Sequence, residues 1–243
     1  RPTATILPGT QKAILVTGEG KTVNLNPETA DVEIGEGVKA KNSNHGLIYS
    51  DTLTAGIEDT ENQLIVPRGG EYAIVLSDGT RVWLNSASEL KYPVHFAGDM
   101  RRVYLKGEAY FQVAKGKAPF YVQIGGLTVR VYGTVFNINS HYCDRIQTAL
   151  VEGKVSILLG GKEFMMNPSQ LADFDVSSGT LDIRDADLTP CLAWTKGLFI
   201  FNNQTLGQIM STLSLWYDME VFFQNPVLEQ LHFTGCVRRY EAI

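Results

Sequence analysis

Long apolar runs are missing from this sequence. Tyrosine aside, they stop at four residues, as in Ala13 to Val16 and Leu198 to Phe201. A membrane-crossing helix needs about 20, and a secretory leader also carries a longer apolar stretch. The chain opens on Arg1 rather than Met, so an upstream piece is expected to have been removed. Charge is scarce and nearly balanced, with 21 Lys and Arg against 26 Asp and Glu, a net of −5. No basic stripe is present, which argues against a nucleic-acid partner. Cysteine is limited to Cys143, Cys191 and Cys236, an odd, widely spaced set without a CxxC. These read as free or buried thiols and leave the redox compartment open. The four histidines (His45, His95, His141, His232) form no HxH or HExxH pattern. His141 lies near Cys143 and Asp144, but a polar turn explains that grouping better than a metal site. Gly-x-Ser-x-Gly is absent. Gly69-Gly70 is no phosphate loop, since no Lys-Ser/Thr follows and no helix starts there. No cofactor or metal is expected.

Glycine and short alternating apolar segments are plentiful. At 44% hydrophobic the 243 residues can bury a core of one large or two modest domains. The central stretch runs from Val66 to Pro93. Glu71 to Ser77 reads as one strand and Thr80 to Asn85 as its return, with Asp78-Gly79 as a two-residue turn of positive φ. That turn sets Val75 against Val82 and Ala73 against Leu84 on one face, and Ile74 against Trp83 and Leu76 against Arg81 on the other. Both faces are largely apolar, so the hairpin is expected to be covered on both sides. Lys12 to Asn26 repeats the pattern of Tyr72 to Asn85, with one more residue in its turn. Residues 28–65 are weaker. Val32 and Ile34 alternate, Leu47 to Tyr49 is a short strand, and Asp51 to Asn62 is an exposed loop. Then Arg102 to Val113 (broken at Gly107), Pro119 to Ile124, Leu127 to Tyr132, Val135 to Asn139, Arg145 to Val151, Lys154 to Leu159, Lys162 to Met166, Gln170 to Val176 and Thr180 to Ile183 follow as strands. Regular short strands with glycine turns predict a β-sandwich with Greek-key or jelly-roll closure.

The character changes at Arg184 to Leu192, which reads as a linker. After it come a strand at Leu198 to Phe201 and an N-cap at Thr205. A helix face of Leu206, Ile209, Met210, Leu213 and Trp216 follows, with a stop at Asp218. Strands at Glu220 to Gln224 and Leu231 to Val237 complete a β-α-β-β unit. It is expected to be cut short at Ile243. The fold class is therefore mainly β: a β-sandwich or jelly-roll-like domain over 1–184 (an N-terminal hairpin-repeat and loop region 1–65, a core 66–184), a linker 185–192, and a small, truncated α+β unit over 193–243.

Catalytic chemistry is thinly supported. Glu108 has no partner carboxylate singled out by spacing; Glu71, Asp99 and Glu152 are all available, and structural or surface roles suit them better. Trp83, Tyr92, Tyr104 and Tyr110 could line a carbohydrate groove, though core packing is the simpler role. Tyr217, Phe222 and Phe223 are hard to bury together in a unit this small, which points to a binding surface.

Three stretches stand out together. The first is Pro67-Arg68-Gly69-Gly70-Glu71-Tyr72, followed by Leu76-Ser77-Asp78-Gly79-Thr80-Arg81-Val82-Trp83-Leu84-Asn85 and Leu90-Lys91-Tyr92-Pro93. The second is Arg102 to Val113 with Pro119-Phe120-Tyr121-Val122; the third is Gly133 to Ile138 with Leu150 to Val155. In this order and spacing they resemble the FecR family of anti-sigma regulators, in which Glu is usual where Gln112 stands. Trp194 to Tyr217 and Phe233-Thr234-Gly235 are similar to the C-terminal domain that often follows, related to the short N-terminal domains of secretins and TonB-dependent receptors. The resemblance implies a non-enzymatic, periplasmic part of a single-span inner-membrane protein. It would receive a signal from the signalling domain of a TonB-dependent outer-membrane receptor. It would pass that signal to an extracytoplasmic-function sigma factor through a cytoplasmic segment and a span absent here, and so regulate iron-chelate or glycan uptake. Partner binding is expected at Leu206, Ile209, Trp216, Tyr217, Phe222 and Phe223. A carbohydrate-binding β-sandwich is the competing expectation, and a glycan hydrolase using Glu108 comes third.

Overall fold

The computed structural model describes residues 5–35, 38–49, 60–142 and 144–243. The expected loop at 51–62 falls mostly outside them, as does Cys143. Two large sheets face each other and share one apolar core. The first sheet runs Thr180–Asp185, Gln170–Asp175, Arg145–Glu152, Val135–Asn139, Glu108–Gln112, Arg81–Leu84, Gly70–Val75, Gly46–Ile48, Val38–Ser43, Val32–Gly35. Thr10–Gln11 adds in parallel to Gly70–Val75. The second sheet runs Lys162–Met166, Val155–Leu159, Leu127–Val131, Phe120–Ile124, Arg101–Lys106, Ser88–Pro93, Glu61–Val66, Ala13–Val16, Thr22–Leu25. Phe111 of the first sheet meets Phe120 of the second edge-on, with ring centroids 6.3 Å apart. The fold is mainly β, as the alternating segments imply.

From Glu61 onward the chain lays down strands that cross back and forth between the two sheets. Each crossing needs a sharp backbone bend. At Gly107 the chain leaves one sheet for the other with φ +91°. A Cβ there would lie 2.4 Å from Ser88 Oγ and 2.7 Å from its Cα, so only glycine fits.

The central hairpin differs from its expected register. Its turn has three residues, Ser77-Asp78-Gly79, closed by Leu76 N–H to Thr80 O (2.8 Å) and Gly79 N–H to Leu76 O (2.9 Å). Gly79 sits at φ +82° after a type I turn, the three-residue alternative to a primed turn. Asp78 fastens it, accepting from the Thr80 N–H at 2.9 Å and from Arg101 Nη1 at 2.7 Å. The pairs are therefore Tyr72–Leu84, Ala73–Trp83, Ile74–Val82 and Val75–Arg81. One residue of slip exchanges faces. Tyr72, Ile74, Leu76, Val82 and Leu84 are core, while Ala73, Val75 and Trp83 are only half-buried on the outer face. The hairpin Ala13–Val16 with Thr22–Leu25 also turns on three residues, closed by Thr17 N–H to Lys21 O. The extra residue of this copy thus lies in its strand, and the two hairpins belong to different sheets.

Leu188 packs with Ala149 and Leu171 on the outer face of the first sheet. A helical turn, Thr189–Leu192, and a 3-10 turn, Ala193–Lys196, lead to Leu198–Thr205, which pairs with His232–Arg238. The helix Leu206–Tyr217 starts at a capping box, in which Thr205 Oγ1 accepts the Gln208 N–H and Gln208 Oε1 accepts the Thr205 N–H. It stops at Asp218, whose φ is +48°. The strand expected at Glu220–Gln224 does not form: among the described residues no strand pairs with the segment, and Phe222 is exposed. The C-terminal part is thus β-α-β, with a 3-10 turn at Pro226–Gln230. Its apolar cluster of Phe199, Phe201, Ile209, Trp216 and Tyr217 is separate from the core of the sandwich.

Candidate functional site

Alternation along the strands of the first sheet sends Glu71, Asn85, Glu108 and Asn137 to its outer face. Outer-face polar residues ordinarily meet water. Here Asn85, Glu108 and Asn137 are buried, because the C-terminal unit covers them. Glu108 Oε2 accepts from Asn85 Nδ2 at 2.7 Å, and its Oε1 accepts from Asn137 Nδ2 at 3.0 Å. Asn137 Oδ1 in turn accepts from Trp194 Nε1 at 3.2 Å. Arg239 completes the set. Its residue exposure is 0%. The guanidinium donates to Asn85 Oδ1 and to Glu71 Oε2, the latter at 3.3 Å, and lies 3.6 Å from the Trp216 ring centroid. Asn85 therefore bridges a buried cation and a buried carboxylate, which satisfies both charges without direct contact. Trp216 Nε1 donates to the Arg239 carbonyl, and Tyr240 OH donates to Glu71 Oε1 at 2.9 Å.

The loop before the central hairpin grips the other end of the unit. Arg68 donates to the carbonyls of Ser214 (2.9 Å) and Met219 (2.8 Å) and pairs with Asp218 at 3.1 Å. Gly69, at φ +63°, donates its N–H to the Leu215 carbonyl at 2.7 Å. These donors take up carbonyls at the helix C-terminus and oppose its partial negative charge. The Arg68-Gly69-Gly70 segment thus leads into the hairpin and also seats the helix.

A cleft of about 1740 Å³ opens between the outer sheet face and the C-terminal unit. Glu108, His141, Arg145, Gln147 and Cys191 are among its lining residues. Burial holds the His141 imidazole below its ordinary value, against the pull of Glu108 and of the Ser86 backbone. Burial, with Glu108 and Asp187 nearby, pushes the Cys191 thiol up to about 11. Among the described residues no three His, Cys, Asp or Glu side chains are grouped to hold a metal.

The six residues expected at a partner surface fall at different depths. Ile209, Trp216 and Tyr217 are buried and hold the unit together; Leu206 and Phe223 are half-buried; Phe222 is 84% exposed. Val227, Leu228, Leu231 and Phe233 also expose apolar surface in the same part of the chain. The four aromatics considered for a carbohydrate groove do not converge. Tyr92 is core, Trp83 and Tyr110 pair on the outer face of the first sheet, and Tyr104 lies on the second. Arg239 and Trp194 were not among the expected residues. Neither carries a local signal, since each acquires its role by reaching polar groups far away in the chain.

The profile described as FecR protein matches residues 62–156, and the one described as FecR, C-terminal matches residues 198–243. The chain belongs to the FecR family. The Arg239, Glu71, Asn85 and Arg68–Asp218 contacts join the two matched segments. Two crystal structures, at 1.65 and 2.50 Å, of a candidate anti-sigma factor from Parabacteroides distasonis ATCC 8503 share the fold. Each is 24% identical with a TM-score of 0.68, covering 74% of this FecR chain and 85% or 86% of its own. No curated protein matches. FecR proteins are regulatory, and signal transduction is the role that membership carries. Among the described residues no helix is long and apolar enough to cross a membrane.

Proposed function

We propose that this chain is the periplasmic, non-enzymatic receiving part of an anti-sigma factor. It takes a signal from the signalling domain of a TonB-dependent outer-membrane receptor. It passes the signal toward an extracytoplasmic-function sigma factor through an inner-membrane span and a cytoplasmic segment. The regulated genes serve uptake of an iron chelate or a glycan. The observation that carries this reading is the apolar surface left open on the C-terminal unit between Phe222 and Phe233. Phe222, Val227, Leu228, Leu231 and Phe233 are five large apolar side chains in a span of twelve residues, all accessible. Such clustering suits a protein partner rather than a small molecule. Of the residues expected from the sequence, Phe222 makes the contact, the half-buried Leu206 and Phe223 are partly accessible, and Ile209, Trp216 and Tyr217 are buried in the unit's own cluster.

Calorimetric titration against isolated receptor signalling domains from the same cell tests the reading. One of them binds saturably, and Phe222→Glu weakens that binding at least ~10-fold while leaving the melting profile unchanged, as removal of an exposed anchor requires. Absence of binding to every such domain would leave the relay without support.

A further inference from the structure

The N-terminal strap, Ile6 to Gly9, is held by the C-terminal unit. Ile6 donates its N–H to the Ile243 carbonyl at 2.9 Å, and Ile243 donates back to the Ile6 carbonyl at 3.1 Å. Two residues that exchange both bonds form one closed rung of an antiparallel ladder. The Ile6 side chain packs against the cluster of Phe199, Phe201, Ile209, Trp216 and Tyr217. Gly9 lies flat on the indole of Trp216. A Cβ at Gly9 would come within 2.7 Å of Trp216 Cε3 and Cζ3 and 2.9 Å of the Gly69 carbonyl. Leu7 between them is 71% exposed, and among the described residues none before Ala13 belongs to the sandwich core. Only at Thr10, whose N–H reaches the Gly69 carbonyl at 3.0 Å, does the chain join the first sheet. Gly69 is also the residue that binds the helix C-terminus.

We infer that the strap is a releasable element governed by the C-terminal unit, so that loosening the unit frees Ile6 to Gly9 without disturbing the sandwich. The strap rests on one ladder rung, one apolar side chain and one backbone–indole contact. All three are supplied by the C-terminal unit. Elements with so few buried contacts open at far lower cost than core strands. The junction beneath is polar and cation–π in character, built on Arg239 and Arg68. It can separate without exposing the main core. Movement of the unit therefore reaches the N-terminal segment directly, bypassing both sheets. Its signalling meaning rests on the reading proposed above: a receptor bound to the unit would act on the segment that leads toward the membrane.

Hydrogen exchange on the 243-residue chain, with no receptor present, tests the inference. In the wild type the Ile6 and Ile243 amides exchange at least ~10-fold slower than in an unstructured peptide. Arg239→Ala, which loosens the unit, and Gly9→Val, which pries the strap off Trp216, each speed both amides at least ~10-fold, while the Leu84 and Phe111 amides stay within about twofold. Gly9→Ala applies the same wedge with one carbon and serves if valine prevents folding. The inference is overturned if Ile6 is unprotected in the wild type. It is also overturned if Arg239→Ala speeds exchange in the Leu206–Tyr217 helix while Ile6 stays protected. Because the receptor is left out, either result is separable from the fate of the receptor-binding proposal.

Discussion

Replacing Arg239 by Ala removes the most deeply buried of the charged side chains that join the C-terminal unit to the sandwich. Three contributions are lost together. A guanidinium 3.6 Å from the Trp216 ring centroid in a buried setting contributes about 2 kcal/mol. Its charge-assisted hydrogen bond to buried Asn85 contributes about 1.5–3 kcal/mol. The ion pair of Arg239 with Glu71 Oε2 at 3.3 Å is broken as well. These terms are not additive, and breaking a buried charge pair on one side costs about 3–5 kcal/mol. We expect that loss in the docking of the unit. The unit's own cluster holds only five buried side chains, too few to stand alone. Urea unfolding followed by tryptophan fluorescence should therefore split into an early transition, sensed by Trp194 and Trp216, and a late one close to the wild-type midpoint. Arg239→Lys keeps the charge but not the planar fork, and should lose a smaller part of the docking energy than Arg239→Ala. A single transition for Arg239→Ala within ~1 kcal/mol of wild type would refute the account of the junction. So would a variant in which the sandwich core is lost along with the unit.

Acid should weaken the same region. His141 is held below its ordinary value by burial, so the unfolded chain binds the extra proton first as pH falls, and stability drops from pH ~6.5 downward. The urea midpoint at pH 5.5 should fall below that at pH 7.5, and less so in His141→Gln. Gly107→Ala should cost at least ~2 kcal/mol, since left-handed backbone and a clash with Ser88 coincide. Gly126→Ala has a similar φ of +87° with nothing nearby and should cost about 1 kcal/mol; equal losses in chemical denaturation would contradict the close approach at Gly107. With its thiol near 11, Cys191 should react with iodoacetamide at pH 8 on the order of 100-fold more slowly than an unstructured cysteine. Exposed Cys236 should be labelled before Cys191, as peptide mapping would show.

The sandwich strands were legible because they alternate. Leu127, Val129 and Val131 are buried and Thr128 and Arg130 are not, as period two requires. The helix was legible from Thr205 and the spacing of its apolar face. Asp78-Gly79 misled, because the same dipeptide serves a two-residue turn and the end of a three-residue one, and the choice reverses the faces of the central hairpin. Glu220 to Gln224 has strand composition, but a strand exists only where another strand pairs with it. The junction was least legible. Glu71, Asn85, Glu108 and Asn137 sit at outward positions that read as solvent-facing. What covers them arrives 57 residues later at Trp194 and 168 residues later at Arg239.

The central claim is that the C-terminal unit is where a receptor's signalling domain docks. Hydrogen-exchange footprinting of this chain, with and without that domain, addresses it most directly. The account predicts that the domain slows exchange between Phe222 and Phe233 and leaves the sandwich strands unchanged. Protection confined to the outer faces of the sandwich, with residues 222–233 unaffected, would contradict it.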